Sequence, residues 1–140
     1  MRVGYTQGVF DLFHVGHLRL LKRAAEQCDR LIVGVNSDRL TEEYKHHTPV
    51  IPEEERREIV AALKVVDDTL VADTLDKREL WDKLHFDVVF IGSDWLGNER
   101  WKRTEEELAR VGAEVVYLPR TEGVSSEELK IRSGNDQQNG

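Results

Sequence analysis

Two rhythms of apolar and polar positions divide this chain. Short, mostly apolar runs at Val3–Val9, Leu31–Val35, Thr69–Val71, Asp87–Ile91 and Val115–Leu118 read as strands. Between them, apolar residues recur at helical spacing. Leu18, Leu20, Leu21 and Ala24 mark a helix over Val15–Cys28. Pro52–Lys64 reads as a second helix, since Pro52 suits a first turn and Glu53, Glu54 and Glu55 complement the helix dipole. Lys77–Leu84 is a third. Asn98–Val111 is a fourth, capped by Asn98 and closed by Gly112. Ser125–Ile131 is a last helix, Thr41–Thr48 a polar loop, and Ser133–Gly140 a disordered polar tail.

Apolar strands separated by helices predict an α/β fold. The expected form is a single-domain, doubly wound, Rossmann-like parallel sheet with helices on both faces. Ligands of such sheets bind outside the carboxyl ends of the strands, where the strand order switches. Gly8–His17, Asn36–Asp38, Gly92–Trp95 and Pro119–Ser126 each follow an expected strand, so they should cluster there.

Composition narrows the class. A chain of 140 residues is expected to form one domain, residues 1–132, ahead of the tail at 133–140. Hydrophobic content of 39% and charged content of 34% fit a globular protein with a solvated surface. No apolar run approaches membrane-spanning length, so no membrane insertion is expected. Met1-Arg2-Val3 enters a strand at once, so no signal peptide is expected. One cysteine permits no internal disulfide, which suits the cytoplasm; Cys28 reads as a small buried hydrophobe. A net charge of −7 argues against non-specific nucleic-acid binding. A triphosphate, by contrast, needs only a local basic cluster. His14, His17, Lys45, Arg120 and Arg56 or Arg57 could supply it.

The chemistry concentrates where the first strand meets the first helix, in Gly8-Val9-Phe10-Asp11-Leu12-Phe13-His14-Val15-Gly16-His17. Free N–H groups and the positive end of the dipole favour a phosphate at a helix N-terminus. Gly16 permits close approach of a ligand, and His14 and His17, one turn apart, can both face it. A surface accident or half of a metal site are the alternatives. A metal site lacks further ligands at suitable spacing, because Cys28, His46, His47 and His85 lie on other segments.

This run resembles the signature of the cytidylyltransferase-type nucleotidyltransferases, and most of all the glycerol-3-phosphate cytidylyltransferase group. The likeness continues in Val35-Asn36-Ser37-Asp38, Arg56-Arg57, Gly92-Ser93-Asp94-Trp95 and Arg120-Thr121-Glu122-Gly123-Val124-Ser125-Ser126. It implies the fold of the His-x-Gly-His nucleotidyltransferases and an in-line attack by a phosphate monoester on the α-phosphorus of CTP. Pyrophosphate would leave and a CDP-alcohol form, with glycerol 3-phosphate the leading acceptor. His14, His17, Lys45 and Arg120 would be catalytic. Gly8, Val9, Phe10, Asp11, Gly16, Asp94, Trp95, Thr121, Gly123, Ser125 and Ser126 would bind the nucleotide. Arg56 and His47 would face the acceptor, with His47 standing where the family has a second lysine. Mg²⁺ would accompany the triphosphate, held mainly by phosphates and waters. Asp11 is either a weak metal contact or a carboxylate that fixes the turn. The resemblance also implies a homodimer.

Other nucleotide folds fit less well. The chain has neither a Gly-x-Gly-x-x-Gly turn after the first strand nor a Gly-x-x-x-x-Gly-Lys-Ser/Thr loop. His-Val-Gly-His is similar to the signature of class I aminoacyl-tRNA synthetases, but their Lys-Met-Ser-Lys-Ser partner is missing. An adenylyltransferase on the same fold and a nucleotide-binding module without turnover stay open.

Overall fold

A computed structural model of the chain describes residues 1–119. The elements run β1 (Val3–Gly8), α1 (Val15–Glu26), β2 (Arg30–Asn36), α2 (Asp38–Lys45), α3 (Glu53–Ala61), β3 (Asp68–Ala72), α4 (Lys77–Leu84), β4 (Val88–Gly92), a one-turn 3-10 helix (Ser93–Trp95), α5 (Glu99–Ala109) and β5 (Glu114–Leu118). The strands form one parallel sheet in the order β3-β2-β1-β4-β5. The order reverses between β1 and β4, so this is the expected doubly wound α/β fold.

Side-chain alternation along the strands splits the core in two. Leu31, Val33, Val35, Val88 and Phe90 pack on one face with Leu21 and Ala24 of α1 and Val60 of α3. Tyr5, Ile32 and Val89 pack on the other with Leu80 of α4 and Trp101 and Leu108 of α5. Gly34 leaves room on this second face, since a Cβ there would lie 2.1 Å from the Tyr5 hydroxyl. That hydroxyl donates to Gln7 Oε1 at 2.7 Å, at the carboxyl end of β1.

The expected caps of the fourth helix are present. Asn98 Oδ1 accepts from the N–H groups of Arg100 and Trp101, and Gly112 closes the helix at φ +84°. Cys28 is half-buried, with its thiol donating to the Ala24 carbonyl. Among the described residues no helix is long and apolar enough to cross a membrane.

One expected loop is a helix. The polar composition of Thr41–Thr48 predicts a loop, yet α2 reaches Lys45. Ser37 caps it, with Oγ accepting the Leu40 N–H at 3.0 Å, while Thr41 Oγ1 donates back to the Ser37 carbonyl. Leu40 and Thr41 are buried, and these two contacts stabilise a turn whose polar composition alone suggests coil. His46 ends α2 and His85 ends α4 in the left-handed conformation, a C-cap position. The expected last helix Ser125–Ile131 and the tail lie outside the described residues.

Candidate functional site

The segment between β1 and α1 is held in a strained bend. Phe10 and Leu12, on either side of Asp11, have φ of 52° and 49°. Asp11 is 4% exposed and fastens this bend to the chain ahead of α3. Its Oδ1 accepts the N–H groups of Leu12 and Ile51, and its Oδ2 accepts that of Val50.

His14 and His17 form the N-terminus of α1 as a capping box. His14 Nδ1 accepts the Gly16 N–H at 3.0 Å, and His17 Nδ1 accepts the His14 N–H at 3.2 Å. The rings stack with centroids 3.9 Å apart. A ring nitrogen that accepts an N–H carries no proton, so each imidazole bears its proton on Nε2, as a donor. Burial, and then the neighbouring His14, push the His17 pKa down to about 4, against a smaller opposing pull from Asp11. The pair is thus suited to present uncharged donors at the positive end of a helix dipole, like a neutral electrophilic histidine.

Burial of His17 links folding to pH. The unfolded chain binds a proton at this histidine below about pH 6.5, while the folded chain refuses it until about pH 4. Stability from this group is therefore complete above pH 6.5 and is lost as pH falls towards 4. A ring-resolved NMR titration should show His17 neutral at pH 6, with its midpoint near 4. A midpoint at the solvated value would mean that the ring is not buried as described.

A cleft of about 670 Å³ opens at the carboxyl ends of β1 and β4, where the strand order switches. Most of the expected site residues line it. Gly8, Val9, Phe10, Asp11, His14, Gly16 and His17 contribute from the bend. Lys45 and His47 contribute from the end of α2, and Asp94 and Trp95 from the turn after β4. Lys45 Nζ lies 5.9 Å from the Tyr44 ring centroid. Arg120, Thr121, Gly123, Ser125 and Ser126 lie outside the described residues.

Arg56 is a correction. It was expected to face the acceptor phosphate, but its side chain is 0% exposed. Nε donates to the Ile51 carbonyl, Nη1 to the carbonyls of Val9 and Asn36, and Nη2 to Asp38 Oδ1. A guanidinium so engaged ties the ends of β1 and β2 to the start of α3 and does not reach a ligand. Arg57, the alternative member of the expected basic cluster, instead bonds Glu54 and Thr69.

The metal reading of Asp11 also loses ground, since both its carboxylate oxygens accept main-chain N–H groups. Among the described residues no three His, Cys, Asp or Glu side chains could together hold a metal ion.

The expected cluster around Asn36 is present, but sequence reasoning missed Gln7, Lys77 and Arg100. Gln7 Nε2 donates to Asn36 Oδ1 and the Thr74 carbonyl, and Asn36 Nδ2 donates to the Tyr44 hydroxyl, giving a polar floor. Lys77 and Arg100 line the cleft from the first turns of α4 and α5. Burial, and then Arg100, push the Lys77 ammonium down to about 8, while Asp76 opposes. A signal existed for both: a basic residue in a first turn opposes the helix dipole, so something else must favour it.

Comparison with known proteins agrees with this geometry. The family model described as cytidylyltransferase-like matches residues 5–132. An FAD synthase from Ferroglobus placidus is 37% identical over 84% of this chain and 76% of its own length. The bifunctional protein HldE of Hyphomonas neptunium is 34% identical over 95% of this chain. The chain spans only 27% of that relative's length. Among solved structures, a lipopolysaccharide core biosynthesis protein from Thermoplasma volcanium superposes with a TM-score of 0.72. It is 25% identical, with 86% of this chain and 97% of that one covered. A family match over nearly all the described chain, on a doubly wound sheet carrying this histidine pair at its switch point, means that the protein belongs to the cytidylyltransferase-like nucleotidyltransferases.

Proposed function

We propose that this protein transfers a nucleoside monophosphate from a nucleoside triphosphate to a phosphate monoester, with ATP the first donor to test. The observation that carries the reaction type is the His14–His17 capping box, which sets two imidazoles beside a helix N-terminus in the cleft. Phosphoryl-type transfers need positioning and neutralisation of charge more than covalent help. In this reading His14 and His17 bind phosphate oxygens as charge spreads in the transition state. Lys45 adds a mobile point charge from the end of α2, and Arg120 with Ser125 and Ser126 supplies further phosphate contacts. Asp94 and Trp95 form the nucleoside end. A divalent cation would enter with the triphosphate and shield it.

ATP comes first because the relatives include an FAD synthase, and FAD carries an adenosine monophosphate group. CTP is the second reading, carried by the likeness of Arg120–Ser126 to the cytidylyltransferase pattern. The acceptor class is a phosphate monoester; glycerol 3-phosphate keeps a place on the strength of the signature.

Pyrophosphate release from ATP and from CTP should be measured with glycerol 3-phosphate, a sugar 1-phosphate and FMN. Release from ATP is expected to be faster than from CTP with the same acceptor. The reverse order would make CTP the donor. Nucleotide binding without turnover on any acceptor would leave only a binding module.

A further inference from the structure

The chain of hydrogen bonds under the cleft has a direction. It starts at Tyr5, 0% exposed, whose hydroxyl donates to Gln7 Oε1 at 2.7 Å. Gln7 Nε2 donates to the Thr74 carbonyl at 2.9 Å and to Asn36 Oδ1 at 2.8 Å. Asn36, 2% exposed, donates from Nδ2 to the Tyr44 hydroxyl at 2.9 Å. A main-chain carbonyl only accepts, so Thr74 fixes which end of the Gln7 amide carries the protons. That end can meet only the oxygen of Asn36, and Asn36 is left to present its nitrogen to Tyr44. Reversing any link would leave a buried polar group unpaired, so burial holds the direction.

Tyr44 ends this chain and lines the cleft from the last turn of α2. Its oxygen accepts from Asn36, so its own proton is left to donate, and among the described residues that proton meets no acceptor. A phenol keeps its proton at neutral pH, and burial raises the Tyr44 pKa further. The floor therefore presents a neutral donor of fixed direction to a ligand. The topology indicates which one. β1 lies between β2 and β4 in the sheet. Asp94 and Trp95 follow β4, and His14 and His17 follow β1. A nucleotide laid from the first pair to the second covers the β4 and β1 ends of the cleft. Tyr44 belongs to the β2 side, with Thr74 and Leu75 from the segment after β3, and that side is left for the acceptor. The relay consists of amides and phenols alone. Charged donors hold a phosphate dianion best, whereas a neutral donor suits a neutral oxygen.

We infer that Tyr44 donates a hydrogen bond to an alcohol hydroxyl of the acceptor, and that Gln7 and Asn36 are positioning residues that keep its proton turned towards the cleft. This rests on the nucleotidyl-transfer reading and narrows its acceptor to a phosphate monoester bearing a free hydroxyl. Tyr44 reads the alcohol and takes no part in charge or proton transfer at the reacting phosphate.

The test uses the full chain with Tyr44→Phe and Asn36→Asp. Pyrophosphate release is measured with glycerol 3-phosphate and with propyl phosphate, which has the same carbon chain and no hydroxyl. If a sugar 1-phosphate or FMN is the faster acceptor, that ester and its deoxy analogue replace the pair. The wild type should favour the hydroxylated ester in kcat/KM. Tyr44→Phe should lower kcat/KM for the hydroxylated ester about 3- to 10-fold, as for loss of a neutral hydrogen bond. It should leave the other ester and the nucleotide KM unchanged. Asn36→Asp replaces an amide that donates with a carboxylate that only accepts, which turns the Tyr44 proton away from the cleft. It should show the same selective loss, since its added charge acts on both esters alike. A wild type that does not distinguish the two esters would overturn the proposal. So would an equal loss on both in Tyr44→Phe, the mark of a merely structural role, or a rise in nucleotide KM alone. A selective loss in Tyr44→Phe without one in folded Asn36→Asp would overturn the directed relay. If Asn36→Asp does not fold, Tyr44→Phe, at a partly exposed position, decides. Failure of the wild type to bind either nucleotide would instead overturn the nucleotidyl-transfer reading.

Discussion

His14→Asn and His17→Gln are each expected to lower kcat by about 10²–10³ while the fold survives, as for removal of one transition-state donor. The choice of residues follows from the capping geometry. His14 Nδ1 and His17 Nδ1 each accept a main-chain N–H at the start of α1. Asparagine is a preferred N-cap, and glutamine at the third helical position completes a capping box. These substitutions keep the acceptors that hold the helix and remove the imidazole Nε2–H. Alanine would confound the two roles, because a lost cap alone costs about 1 kcal/mol. Turnover and thermal midpoint should be measured together. A midpoint near that of the wild type with turnover down a hundredfold supports the donor role. Near-normal turnover in both variants removes the mechanism.

Arg56→Met should destabilise the protein by at least about 3 kcal/mol, since each buried acceptor left unsatisfied costs about 1–3 kcal/mol. Folded domains are stable by only about 5–15 kcal/mol, so much of the margin would go. The loss strands the carbonyls of Val9, Asn36 and Ile51 and the Asp38 carboxylate, all of which accept from this one side chain. Arg57→Met, one residue away, should shift stability by no more than about 0.5–1 kcal/mol, since its bonds are at the surface. Urea unfolding separates the two. An acceptor-binding role for Arg56 predicts the opposite pattern: a stable protein with a raised acceptor KM. That result would contradict the burial described here.

The cleft shows where sequence pattern is a reliable guide and where it is not. The histidine bend was legible because its logic is local. A strand, a turn and a helix start lie within a few residues, and the phosphate-binding tendency of a helix N-terminus follows from the backbone alone. The choice between two roles for Asp11 was not legible. It turns on the N–H groups of Val50 and Ile51, far along the chain. Arg56 and Arg57 are neighbours of identical type, and only the direction in which α3 packs decides that one is buried and the other solvated. Thr41–Thr48 misled because polar composition resembles coil, whereas the buried Leu40 and Thr41 and the Ser37 cap hold a helix to Lys45.

The sequence by itself determined the sheet's composition, the parallel crossovers and the family, because strand and helix periods and a contiguous signature are properties of short stretches. It also placed His14 and His17 at a helix start. The tertiary structure alone decided which charges face the cleft. It turned Arg56 inward as a clasp and gave Asp11 to the main chain. It also brought Lys77 and Arg100, from α4 and α5, to the side opposite the histidines. The physical reason is that the cost of a buried charge depends on partners supplied by distant segments. Those partners are set by the order β3-β2-β1-β4-β5 and the faces on which the helices pack, which no single stretch of sequence contains.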